Sequence, residues 1–143
     1  MPDARLSSVA AADLDRSAVG DLYTSVGWTA YTNQPDLLPA AMAGSTHIVV
    51  AHLEAALVGL ARVISDSASI AYLQDVLVHP AHQRHGIGAA LVNAVFRPYE
   101  HVRQKVLLTD DDPTLRAFYT TLGWHEVGQD HQPPLRAFVR IET

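Results

Sequence analysis

The residues best suited to chemistry lie between two apolar stretches: His79-Pro80-Ala81-His82-Gln83-Arg84-His85-Gly86-Ile87-Gly88-Ala89. A β-branched run ends at Pro80 and a polar loop follows. Two glycines one residue apart then open a stretch whose apolar residues Ile87, Leu91, Ala94 and Val95 recur at helical spacing. Glycines at a helix start let backbone approach a ligand closely and expose successive N–H groups. The helix start adds unpaired donors and positive dipole, and together these suit a phosphate. Arg84 can add a charge-assisted contact, and His85 another.

Other phosphate motifs fit less well. No Gly-Lys-Ser/Thr completes a Walker A loop, and Leu91 stands where a dinucleotide fold wants its third glycine. Asp110, after a following strand, does imitate a ribose-binding acid. A glycine-eased helix start with no ligand also stays open on these residues alone. The carboxylates Asp110, Asp111 and Asp112 point different ways along the chain and suit a solvated helix entry with one N-cap better than a metal site. The eight histidines make no recognised zinc spacing, and no metal is expected. With no cysteine, disulfides, thiolate zinc sites and acyl-cysteine chemistry are excluded. Ser65, Ser67 and Ser69 have no flanking elbow glycines and read as turn residues; no serine with a histidine base is legible.

Stepping along the chain, Leu14, Ala18, Val19 and Leu22 predict a helix within Ala12–Ser25. A second short helix is expected after Pro35, with that proline in its first turn, ending near Gly44. Thr46–Leu53 and Leu57–Ser65 read as strands joined by a hairpin at Glu54-Ala55-Ala56, and Ile70–His79 as a third. A helix opened by the glycines runs to Pro98, and Lys105–Thr109 is a short buried strand. Asp112 as N-cap, Pro113 in the first position, the stripe Leu115–Phe118–Tyr119–Leu122 and Gly123 after the last turn mark another helix. Trp124–Gly128 and Arg136–Ile141 read as closing strands. This order predicts an α+β fold with a mixed, mostly antiparallel central sheet and helices on both faces.

The 143 residues suit one domain, 1–143, of ordinary globular composition, 48% hydrophobic and 17% charged. Formal net charge is −5, and nine of the ten basic residues are scattered arginines, which excludes a basic stripe for nucleic acid and favours a cationic substrate. No apolar run approaches the roughly 20 residues of a membrane span, and the start lacks a signal-peptide pattern, so a cytoplasmic protein is expected.

Gln83-Arg84-His85-Gly86-Ile87-Gly88 resembles the Gln/Arg-x-x-Gly-x-Gly/Ala signature of the GCN5-related N-acetyltransferase (GNAT) family. Tyr72-Leu73-Gln74-Asp75-Val76-Leu77-Val78-His79-Pro80 looks like that family's fourth strand, and Ala117–Trp124 like its late helix. The resemblance covers roughly Thr46 to Gly128. It implies an acetyl-CoA-dependent N-acetyltransferase fold. Main chain of Val76, Leu77 and Val78 would take the pantetheine arm. Backbone from Arg84 to Ala89, with Gln83, His85 and the two glycines, would take the pyrophosphate. Phe118 and Asp112 would contribute to the cofactor site.

Tyr119 matches the family's proton donor to the CoA sulfur, although it equally continues an apolar stripe. Gln74 stands where many relatives carry glutamate or histidine, and an amide cannot take a proton at physiological pH. A water relay through Asp75 or Tyr72 is one expectation, and Asp75 as a buried acceptor for loop N–H groups is the other. Gln74 and Asp75 should face opposite ways unless a bulge intervenes. The expected acceptor is a small amine of polyamine, aralkylamine or amino-sugar type, held near Trp28 and Tyr31; a core role for Trp28 stays open. The alternatives are a protein lysine or N-terminal acetyltransferase and a non-catalytic CoA-binding module. A homodimer is within the family's habits.

Overall fold

The computed structural model describes residues 3–128 and 134–142. Its contacts fall into two compact units, 1–108 and 109–143. The first unit is built on a five-stranded sheet in sequential order: β1 (Arg5–Val9), β2 (His47–Leu53), β3 (Ala56–Ser65), β4 (Ile70–Val78) and β5 (Gln104–Leu107). The first four strands pair antiparallel, and β5 runs parallel to β4.

Three helices, α1 (Arg16–Ser25), α2 (Thr29–Thr32) and α3 (Leu37–Ala43), precede β2. Asp15 starts α1 by accepting from the N–H groups of Ser17 and Ala18. Alternation along the strands divides the core. Ile48, Val50, Leu60 and Leu77 meet Val19, Leu22 and Tyr23 of α1 and Leu38 and Met42 of α3. The other face takes α4 (Ile87–Phe96), which buries Leu91, Val92 and Val95. Gly59 of β3 permits that packing, since a Cβ there would come within 2.9 Å of Leu91 Cδ1 and 3.3 Å of Ile87 Cγ2. Helices therefore cover both faces of this sheet.

The second unit contains α5 (Pro113–Thr121). Asp112 caps it through Thr114 N–H at 2.8 Å, and Gly123 follows at φ +91°. Arg116 grips Glu126 with two bonds of 2.7 and 2.9 Å, both side chains exposed.

Several sequence expectations need correction. β1 was not anticipated: its Ser7 and Ser8 interrupt the apolar pattern, and its strand state comes from pairing with β2. The first helix begins at Arg16, four residues later than expected, after a 3-10 turn at Ala11–Asp13. Pro35 lies before α3; the proline inside the helix is Pro39, in its first turn, where N–H groups have no helical partner anyway. β5 ends at Leu107, and its residues are half-buried or exposed. Among the described residues, 124–128 and 136–141 form no strand. Arg136 Nη1 instead donates to the carbonyls of Gly128 and Leu135, and Phe138 and Ile141 are 93% and 81% exposed. Strand propensity without a described ladder partner does not make a strand.

Candidate active site

β4 and β5 pair only from Ile70↔Gln104 to Leu73↔Leu107. Beyond Leu73, β4 continues to Val78 with β3 alone as a described partner, Asp75 to Val78 lying against Arg62 to Gly59. Its other edge opens there, and the open stretch leads directly into the phosphate-type loop. His79 Nδ1 accepts from Ala81 N–H, and Gln83 Nε2 donates to Val78 O at 3.0 Å, tying the loop to the strand end. Arg84 sits at φ +68°, a region a side-chain-bearing residue seldom occupies. Gly86 follows at φ +83° as the N-cap of α4. The two glycines thus differ: Gly86 supplies the left-handed turn, and Gly88 lies in the first turn of the helix. Between them, Ile87 is buried against β3.

A polar cluster occupies the α1–α3 side of the same strand. The register of β3 and β4 shifts between Arg62 and Val63, so Gln74 is an extra residue and both it and Asp75 lie opposite Arg62. The bulge sends the two side chains to a common partner, the Tyr31 hydroxyl. Tyr31 Oη donates to Asp75 Oδ1 at 3.0 Å and accepts from Gln74 Nε2 at 3.2 Å. Arg62 Nε meets Asp75 Oδ2 at 2.6 Å, Tyr23 Oη donates to the same oxygen at 2.9 Å, and Arg62 Nη2 donates to Tyr31 Oη at 2.9 Å. Arg62 Nη1 reaches Ser45 Oγ at 3.2 Å. Arg62 and Asp75 are each 4% exposed.

Burial works against the Arg62 charge, but the Asp75 carboxylate more than offsets it and holds the guanidinium above its ordinary pKa. Burial, and then Asp75, push the Tyr23 phenol far up. Tyr72 is raised by partial burial, with Asp75 and Tyr31 adding to it. In the second unit the half-buried Tyr119 packs on Phe118, ring centres 4.9 Å apart, and desolvation pushes its phenol up to about 12.

Asp75 is therefore a buried acceptor, but its partners are side chains rather than loop N–H groups. The sequence reading missed Arg62 and Tyr23 altogether. A lone arginine in the apolar strand Leu57–Ile64, beside a lone aspartate in the next, was the available signal. Trp28 is partly buried on the core, edge-on to Tyr23 at 5.8 Å. A serine also meets a histidine: Ser8 Oγ lies 2.9 Å from His47 Nε2, and His47 Nδ1 lies 2.9 Å from Val95 O. Because that carbonyl only accepts, Nδ1 donates to it, and Nε2 faces the Ser8 hydroxyl. This pair ties β1 to β2 and α4.

A profile of the acetyltransferase (GNAT) domain matches residues 13–134. The chain belongs to the GNAT acetyltransferase family. GNAT domains are acyltransferase domains, and residues 13–134 carry one. A GNAT-family acetyltransferase from Streptococcus pneumoniae superposes with a TM-score of 0.82 at 26% identity, over 97% of this chain and 98% of that one. An uncharacterised ycf52-like N-acetyltransferase of Prochlorococcus marinus is 32% identical over 68 residues. That match takes in 48% of this chain and 38% of the relative's own length. AAC(6')-Iy, solved with the bisubstrate analogue CoA-S-monomethyl-acetylneamine, gives a TM-score of 0.72 at 13% identity over 99% and 100% of the chains. At that identity the likeness is one of fold. No helix among the described residues is long and apolar enough to cross a membrane.

Proposed function

We propose that residues 1–143 act as one cytoplasmic domain that transfers an acetyl group from acetyl-CoA directly to the amine of a small molecule. The observation that carries this is the open edge of β4 after Leu73, running without interruption into the Arg84–Gly86 turn and α4. Bound acetyl-CoA would supply a thioester whose acyl carbon an amine can attack. Val76, Leu77 and Val78 would offer main-chain groups to its arm, as a sheet edge does to an added strand. The loop from Gln83 to Ala89 would offer N–H groups and the Arg84 charge to its phosphates. A bisubstrate analogue on the fold of AAC(6')-Iy supports the small-amine class.

We assign proton donation toward the leaving thiolate to Tyr119. With its pKa near 12, this phenol keeps its proton throughout the physiological range. An ordinary thiol titrates at about 8.5, so outright transfer from such a phenol is uphill, and Tyr119 acts by hydrogen-bond donation. With Asp75 committed to Arg62 and two phenols, the amine's proton leaves through solvent beside Gln74 and Tyr72.

Two measurements test the reading. In calorimetry, Gly88→Val should weaken CoA binding tenfold or more, because a branched side chain enters the first turn that would face phosphate. Unchanged affinity in the folded variant refutes the loop assignment. Initial rates against both substrates should give intersecting lines, since direct transfer needs both bound together; parallel lines, or a trapped acetyl-enzyme, refute it.

A further inference from the structure

The hydrogen bonds around Asp75 have a fixed direction, and following them outward assigns an atom at the surface. Asp75 is ion-paired with Arg62 and has only lone pairs to offer. Its Oδ1 contact at 3.0 Å therefore takes the Tyr31 proton. That leaves the Tyr31 oxygen as an acceptor alone. It receives Arg62 Nη2 at 2.9 Å, and arginine can only donate. The third group on this oxygen, the Gln74 amide at 3.2 Å, must also donate, so its nitrogen is the atom that faces Tyr31. The two ends of a glutamine amide are ordinarily interchangeable, but here the chain of partners allows one orientation. Gln74 Oε1 is thereby turned away from the cluster as an acceptor.

The placement of this oxygen is informative. Gln74 is exposed, is the extra residue of the bulge, and is the first residue of β4 beyond the last pair with β5. It stands at the head of the open edge. We propose that Gln74 Oε1 receives an N–H of the acceptor amine, and that Tyr31, held by Asp75 and Arg62, is the positioning residue that keeps the amide in that orientation. The inference rests on the acetyltransferase reading above and deepens it. It selects acceptors that present an N–H donor, primary amines above all. Gln74 holds the amine and takes no proton, because its amide does not titrate in the working range.

The test uses the full chain and a panel of primary aliphatic, aralkyl and amino-sugar amines, followed with the best acceptor found. Gln74→Leu should raise the KM for the amine about tenfold, the scale of one hydrogen bond, while the CoA dissociation constant stays fixed. The pH profile of kcat should keep its shape, since no titrating group has been removed. Tyr31→Phe should raise the same KM by a smaller factor, because the amide survives but loses its anchor. The double variant should match Gln74→Leu alone, because Tyr31 acts on the amine only through Gln74. Additive KM effects would refute the positioning role of Tyr31, and an unchanged amine KM in Gln74→Leu would refute the assignment of Oε1. Both results leave the acetyltransferase reading standing. A wild-type protein that binds CoA yet acetylates no member of the panel overturns that reading and this inference together.

Discussion

Removing Arg62 is the sharpest probe of the cluster behind the site. Arg62→Met keeps the length of the stem and deletes the charge, leaving Asp75 buried with Tyr23 and Tyr31 as its remaining donors. With charge centres ~4 Å apart and an effective dielectric of about 20, the lost attraction is about 4 kcal/mol. Deleting one member of a buried pair generally costs about 3–5 kcal/mol. The two phenols still solvate the carboxylate, so we expect about 3 kcal/mol at pH 8, read from urea unfolding.

Arg62→Met combined with Asp75→Asn should recover much of the loss, since the buried charge is gone; the amide oxygen accepts from one phenol and its NH2 donates to the other. A deficit under about 1 kcal/mol at pH 8 is what an exposed pair would give, and it would refute the claim that this pair is dry.

Two further outcomes follow from the tyrosines. Tyr119→Phe should lower turnover by roughly 10²–10³-fold, the scale of one hydrogen-bond donor to developing charge, with CoA affinity nearly unchanged, and wild-type turnover would return Tyr119 to the packing stripe of α5. Above pH 10, stability should fall by about 1.4 kcal/mol per pH unit for the Tyr23 phenol, because the unfolded chain loses that proton while the folded one keeps it. Tyr23→Phe should flatten that alkaline slope in urea unfolding.

The phosphate-type loop was legible because its signal is local: a strand end, two glycines and a helix stripe within a few residues. The cap of α5 was legible for the same reason, Asp112, Pro113 and Gly123 each acting on the nearest backbone. The cluster was not. Arg62 and Asp75 lie thirteen positions apart on paired strands, and Tyr23 and Tyr31 lie farther still, on helices. Nothing in a linear pattern announces a register shift such as the one at Arg62, yet that shift decides where Gln74 faces. β1 escaped notice for a related reason, being a strand through its neighbour rather than its own composition.

The two phenols on Asp75 also constrain how the domain could change its acceptor under the proposed function. On that reading the segment before β2 is the natural place to vary an acceptor pocket, yet Tyr23 and Tyr31 anchor it to a charge that belongs to the sheet. A transplanted segment from a relative would strand Asp75 unless it brought hydroxyls to the same two positions. Diversification is therefore channelled into the residues between the anchors, Thr24 to Ala30, and into Gln74 itself. A library confined to those positions should retain folded members far more often than one that also frees Tyr23 and Tyr31.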